Sequence, residues 1–433
     1  MIRNRTAIVA LLTGLNFLNY LDRFIVAAVL PRIKADLGLS NFEAGLLATV
    51  FLLGYFATSP LFGSLGDRLP RKRLIAFGVF TWSIATIASG LSTNVWTLIV
   101  ARAFVGIGEA SYATLAPTII DDITPPEKKG KILAIFFLAI PLGSALGYLL
   151  GGLIQDIWGW REAFFVGGGP GVALAFLCLW IEEPARKLQK VGVAFASTIR
   201  TLIALPLYRR AVFGYCAHTA AIGAFSYWAP TFLSERFFSA LATDPLAPGA
   251  AEQVLKSANF WFGVTTVIAG AIGTIVGGRM ADHALRGLPI VPVDATHEDP
   301  RNLLAANAQL RVCAIGVAIA FPFTAAAFFA PSPMLFFTLA GIAEIGLFLS
   351  TAPINAILLR TAPAYMRASA MAVAIFAIHL LGDLWSPTVL GLALDYLVPT
   401  LAMMILPIGF AVATALWWPR RREAEPLPSA RVH

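Results

Sequence analysis

The chain has 433 residues, 58% of them hydrophobic and only 13% charged, with a formal net charge of +8 and a mean hydropathy of +0.76. A soluble domain carries about 25% charged residues, so an ordinary soluble enzyme is excluded. The apolar stretches of 18 or more residues are each long enough to cross a hydrocarbon core of about 30 Å. A barrel would instead show segments of about ten residues with alternating polarity. The chain is therefore predicted to be an all-α polytopic membrane protein. Its basic balance, with a pI near 9.6, is loop charge that sets topology, and no nucleic-acid partner is expected.

Twelve spans are predicted, at 6–31, 42–65, 73–91, 95–120, 131–155, 162–181, 211–235, 257–281, 310–330, 334–359, 366–390 and 397–418. The first resembles a signal peptide at its start, but no small-residue cleavage site precedes "NYLDR" and the apolar run resumes after it, so it is read as a membrane helix. Most connections are short. Two are long, 182–210 and 282–309, and the first divides the chain into a first bundle, 1–181, and a second, 211–433, with "FASTIRTLIALPLYRR" in the connection as an amphipathic helix. Lys and Arg in alternate loops fall twenty-five to one side and five to the other. The positive-inside rule then puts both termini in the cytoplasm.

The first span carries Asn16, Asn19, Tyr20 and Arg23 on one broad helical face, with Asp22 at its shoulder. A charge at the centre of a span costs at least about 2.5–3.5 kcal/mol unless it faces a bundle interior or water. Adjacent Asp22 and Arg23 point about 100° apart and do not face each other. Each needs its own partner.

After the second span comes "GSLGDRLPRKR". Gly63 is expected to allow close helix approach, Asp67 to accept from a helix N-terminus, and Arg68 and Arg71 to pair with Asp121 and Asp122 at the end of span four. The second half echoes it: "GSLGDRLPR" (Gly63–Arg71) and "GRMADHALR" (Gly278–Arg286) share Gly, Asp and Arg at a separation of 215 residues. Asp282 and Arg286 are thereby counterparts of Asp67 and Arg71. The motif resembles the loop between helices two and three of the major facilitator superfamily, with Pro70 where that superfamily often has glycine. The resemblance implies a cytoplasmic latch that holds one state of a rocking transporter.

Span four, "RAFVGIGEASYATLAPT", places Arg102, Gly106 and Glu109 on one face. Arg102 and Glu109 lie about 10–11 Å apart along the axis, too far for an unstrained pair, so both are expected at a cavity, together with Tyr112. In span five Gly143, Gly147 and Gly151 recur at spacing four and form a packing face. Trp158 and Trp160 are expected as interface anchors. Glu344 lies in span ten, and His379 and Asp383 share a face of span eleven, "HLLGDLWSP". All three are assigned to the cavity. The cysteines Cys178, Cys216 and Cys313 sit in apolar segments and match no metal or disulfide pattern.

"NYLDRF", "GIGEASYATLAPTI", "AIPLGSALGY" and "HLLGDLWSP" together resemble the Spinster family of that superfamily. The resemblance implies two pseudo-symmetric six-helix bundles and a proton-coupled secondary transporter of a lysophospholipid- or sphingolipid-like amphiphile, working by alternating access. Short loops point to a bacterial member in the inner membrane. Asp22 and Glu109 are then the proton-accepting acids, and Arg23 and Arg102 their counter-ions and anion attractors. The alternatives are a proton-coupled carrier of a small polar organic anion and a non-transporting receptor or scaffold. No nucleophile–base spacing, P-loop or metal cluster is present in the sequence, so neither enzyme nor cofactor is expected. The partners expected are the substrate, protons and the bilayer, with the chain acting as a monomer.

Overall fold

The structure is a computed structural model, and it describes residues 2–124, 129–183, 195–243, 249–290, 296–363 and 366–419. Among these the chain is helical throughout, with one isolated bridge between Ile2 and Ile181. The first six long helices are α1 (Arg5–Leu37), α2 (Asn41–Arg68), α3 (Arg71–Gly90), α4 (Val95–Ile123), α5 (Lys129–Ile157) and α6 (Trp160–Leu179). A short α7 (Phe195–Ala204) leads into α8 (Pro206–Arg236), then α9 (Phe238–Leu241), α10 (Ala250–Leu285) and α11 (Pro300–Phe328). The predicted tenth span is broken into α12 (Pro333–Phe348) and α13 (Thr351–Arg360). The eleventh is α14 (Arg367–Ile378), a π-helical turn (His379–Asp383) and α15 (Ser386–Tyr396). The twelfth is α16 (Pro399–Met403) with α17 (Ile405–Trp417).

Eleven stretches of described helix are long and apolar enough to cross a bilayer. The predicted seventh span falls on α8, which is one helix but more polar, because His218, Thr219 and Ser226 lie in its middle beside Tyr215, Tyr227 and Trp228. Together these account for the twelve predicted spans. The amphipathic stretch is split by Pro206: "FASTIRTLIA" forms α7, and "PLYRR" opens α8. Several helices outrun their apolar cores. α11 starts at Pro300 rather than near 310, because Asp299 accepts from the Arg301 N–H at 2.8 Å and begins the helix early. Several helix starts show ordinary N-cap chemistry. Asn4 and Asn94 cap α1 and α4, and Ser40 with Glu43 forms a reciprocal capping box on α2. Gly38 closes α1 in the left-handed region (φ 67°), which permits the sharp turn into α2.

Contacts divide the chain into two units. The first comprises Met1–Leu188, Phe225–Val267 and Pro387–Pro399; the second comprises Gln189–Ala224, Ile268–Ser386 and Thr400–His433. In the first, α5 packs on α1, α4 on α2, and α6 and α4 on α3. Lipid is as apolar as leucine, so these helices gain their association from close packing through small residues. A Cβ on Gly143 would lie 2.5 Å from the Phe17 carbonyl oxygen, and one on Gly147 2.6 Å from that of Leu21. One on Gly151 would lie 2.7 Å from the Ala28 Cβ. The predicted packing stripe of α5 is thus seated on α1. On α2 the close approaches fall at Gly54 and Gly66 and not at Gly63, where an added Cβ would meet Thr114 at an ordinary 3.8 Å. In the second unit α11 packs on α12, α13 and α17, with Gly316 and Gly346 each against the other's backbone. Trp158 is exposed as expected of an anchor, but Trp160 is buried and its Nε1 donates to Asp36 at 3.2 Å. Trp160 therefore anchors α6 to α1 and not to the interface.

Candidate functional site

The close contact of Gly106 with the backbone of Phe51 and Tyr55 brings α2 onto α4. One turn before Gly106, Arg102 then meets the Phe51 ring, with its guanidinium carbon 5.0 Å from the centroid. Arg23 of α1 lies 4.8 Å from the same ring, and 4.9 and 5.6 Å from the rings of Tyr20 and Tyr55. Phe51 thus has two guanidinium groups close to its ring. An aromatic face attracts a cation, while the two cations repel each other, so the arrangement needs negative charge nearby.

Glu109 and Asp22 supply it. Arg23 Nη2 donates to Glu109 Oε2 at 2.6 Å, with the carboxylate fully buried and the arginine about one-fifth exposed. The buried Asn19 amide lies beside the same carboxylate. Asp22 turns the other way, between α1, α3 and α6. Its Oδ2 accepts from the Thr86 hydroxyl at 2.6 Å, its Oδ1 has no hydrogen-bond partner among the described residues, and Gly167 lies beside it. Arg102, Glu109 and Arg23 all act on it electrostatically. Arg102 itself is only 2% exposed, and its Nε and Nη1 have no hydrogen-bond partner among the described residues. Of the four charges, one pair is matched, one acid is held by a hydroxyl, and one guanidinium is buried with two donors that have no hydrogen-bond partner among the described residues.

The other predicted cavity residues are distributed differently. Asn16 is buried and donates to the Phe136 carbonyl at 2.9 Å, which ties α1 to α5. Tyr112, expected at the cavity, is instead fully buried against Trp82 and Phe136, and its hydroxyl donates to the Leu12 carbonyl. It is a staple between α4 and α1. Aromatic bulk with one polar tip suits such a buried crossing. In the second unit, His379 Nδ1 lies 2.9 Å from Asp383 Oδ1, both partly exposed, on the π-helical turn closed by Leu384 N–H to the His379 carbonyl at 3.0 Å. π-Helical turns are rare and are frequent at functional sites. Glu344 is buried in α12. The structure brings together Asp22, Arg23, Arg102, Glu109, Asn19 and Tyr20; it does not add Asn16 or Tyr112 to them.

At the predicted cytoplasmic latch, Arg71 Nη2 meets Asp122 at 2.7 Å, and its backbone N–H donates to Glu183 at 2.8 Å. Thr118 accepts from Arg71 at 3.0 Å. Arg68 is exposed, as are Asp282 and Arg286 at the end of α10 and just beyond it. The side chains of Asp67 and Asp121 lie outside the described residues. An apolar groove of about 660 Å³ on α3 and α4, lined by Phe77, Phe80, Trp96 and Phe104 among others, holds none of the charged residues. No cluster with metal-ligand character occurs among the described residues.

The roles of Phe51, Tyr55, Thr86 and Glu183 are not evident from the sequence. Phe51 and Tyr55 carry a usable signal, since they are four apart and share a helix face with Gly54 between them. Thr86 carries none, because a single hydroxyl in an apolar span is most often bonded to its own helix.

Six-helix packing around buried charges in long apolar spans defines a polytopic helical membrane protein of the transporter kind. The Major Facilitator Superfamily profile matches residues 12–382. The human "Protein spinster homolog 1" is 34% identical over 404 residues, spanning 90% of this chain and 73% of that one. The zebrafish (Danio rerio) "Protein spinster homolog 3" is 33% identical over 402 residues, spanning 90% and 76%. The chain belongs to the Major Facilitator Superfamily and, within it, to the Spinster family. The fold agrees. A crystal structure of a bacterial homologue of the human lysosomal transporter Spinster, inward-facing and unoccupied, matches with a TM-score of 0.77 at 20% identity, over 96% of this chain and 97% of that one. A D-xylose–proton symporter matches with a TM-score of 0.72 at 17% identity, over 95% and 97%.

Proposed function

We propose that this protein is a proton-coupled transporter of a lysophospholipid- or sphingolipid-like amphiphile, acting by alternating access as a monomer in a bacterial inner membrane with both termini cytoplasmic. The observation that carries the reading is the buried Arg102 guanidinium, whose Nε and Nη1 have no hydrogen-bond partner among the described residues, beside the Arg23–Glu109 pair and Asp22. Arginine suits bidentate contact with a phosphate or carboxylate. An anionic head group that captures Arg23 or Arg102 removes the counter-ion of an acid. Burial favours the neutral carboxyl and a nearby arginine favours the charged one, so loss of the arginine makes the acid take up a proton. Substrate and proton are coupled through the shared guanidinium groups. Phe51, Tyr55 and Tyr20 beside them offer an apolar wall to the tail.

The test is lysophospholipid flux in proteoliposomes, with and without an imposed pH gradient. Flux that the gradient stimulates is the expected result. Absence of flux under both conditions overturns the lipid substrate and turns the search to small polar organic anions, for which the same arginines would serve.

A further inference from the structure

The first four N–H groups of a helix have no partner within it. On α2 the Ser40 hydroxyl accepts from Glu43 N–H at 3.1 Å, and the Ser40 carbonyl accepts from Ala44 N–H at 3.0 Å. The local cap leaves the N–H groups of Asn41 and Phe42. Both donate to one carboxylate, Asp395 at the end of α15, each at 2.9 Å. The residue that completes this helix start stands more than 350 positions away in the sequence. Its charge also suits the positive end of the helix. Deeper along the same contact, the Tyr227 hydroxyl of α8 donates to the Ala44 carbonyl at 2.6 Å, and the hydroxyls of Thr49 and Thr388 lie 2.7 Å apart.

We propose that Asp395 on the N-terminus of α2 is a reversible latch for the end of the protein opposite Arg68 and Arg71, closed in this structure by the α2–α15 contact. Three features fit a latch better than a permanent joint. Asp395 is exposed, so water takes over both N–H groups and the carboxylate when the contact opens. The bonds join the first and second halves of the sequence, the parts that alternating access must separate. The deeper bonds to Ala44 and Thr49 are single and neutral, and each is worth little net once water replaces it. The opposite end carries the expected cytoplasmic latch, where Arg71 at the start of α3 meets Asp122 of α4. The inference rests on the transporter class and not on any substrate.

The test needs no ligand. Spin labels at Leu91→Cys and Val398→Cys, both exposed, report the separation of the two halves at this end by pulsed electron resonance in nanodiscs. The native cysteines Cys178, Cys216 and Cys313 are buried and stay unlabelled. Asp395→Ala is expected to raise the population with the longer separation about two- to fivefold relative to the parent, the range an exposed helix-end charge supports. Asp395→Asn is expected to raise it less. Thr388→Val is expected to move it in the same direction, and it carries the test if Asp395→Ala does not fold. Ser40→Ala removes only the local cap and is expected to lower thermal stability without moving the populations. Unchanged distance distributions in the folded Asp395 and Thr388 variants overturn the latch. So does a Ser40→Ala shift as large as that of Asp395→Ala, because the effect would then be helix fraying.

Discussion

Arg23 on α1 pairs with Glu109 on α4 at 2.6 Å, while Arg102, two turns from Glu109 on the same helix, does not. The consequence is an asymmetry between two arginines that composition makes equivalent. Removing one member of a buried pair leaves the other charge uncompensated, at about 3–5 kcal/mol. Glu109→Ala is therefore expected to destabilise the protein by about that much in detergent unfolding, and the double variant with Arg23→Ala is expected to regain part of it. Additive losses would show that the pair is not the unit.

Arg102 makes the opposite prediction. Its buried Nε and Nη1 have no hydrogen-bond partner to lose among the described residues, and an unpaired buried charge is unfavourable. Arg102→Gln is expected to keep or raise thermal stability while lowering flux at least about tenfold, the size of one lost charge-assisted contact of about 1.5–3 kcal/mol. A variant that unfolds would show that Arg102 is held by the fold and is not reserved for an anion.

Asp22 is held by Thr86 and acted on by both arginines. Asp22→Asn keeps the shape and the hydroxyl contact but has no proton to exchange. Gradient-driven flux is expected to fall to the level seen without a gradient, with downhill flux retained. Thr86→Val leaves the acid and is expected to shift the pH dependence of flux without abolishing it. Intact gradient stimulation in Asp22→Asn would remove Asp22 from the coupling role.

Gly106 and Gly14 form a matched pair for packing. A Cβ at Gly106 would run into the Phe51 backbone, whereas at Gly14 it meets nothing within 4 Å. Gly106→Ala is expected to destabilise by about 1–3 kcal/mol and to displace Phe51 from the arginines. Gly14→Ala is expected to be neutral or slightly stabilising, since alanine favours helix over glycine by about 1 kcal/mol. Comparable melting temperatures for the two variants would contradict the α2–α4 contact.

Much of this architecture is legible in the amino-acid sequence. Hydropathy and loop charge together mark twelve crossings, and α8 is among them although its own polarity keeps it below an apolar threshold, because the charge alternation requires a crossing there. The glycines of α5 are legible since spacing four is a face. Helical rise alone keeps Arg102 and Glu109 apart, as the structure does. Direction around a helix is harder to obtain. Asn16, Asn19, Tyr20 and Arg23 share a stripe about a third of the circumference wide, and one edge of that stripe packs on α5 while the other reaches α4. Tyr112 departs from its expected place for the same reason: a polar tip in a span marks a buried bond as readily as a cavity. Trp160 differs from Trp158 only in which side of the helix start faces Asp36. Thr86 and Asp395 lie beyond the reach of local pattern, because their roles come from residues tens to hundreds of positions away.

The π-helical turn at His379–Asp383 has a bearing on how this segment tolerates change. Such a turn holds one residue more than an α-helical turn, and each residue rotates a helix by about 100° and advances it about 1.5 Å. Shortening the turn by a single residue, with every side chain kept, would swing the whole of α15 by more than a quarter of a circle. Thr388 would then no longer point at Thr49, nor Asp395 at the start of α2. In this segment it is length that is under constraint, more tightly than composition: a conservative substitution along α15 disturbs one contact, whereas one deleted codon upstream undoes all of them together.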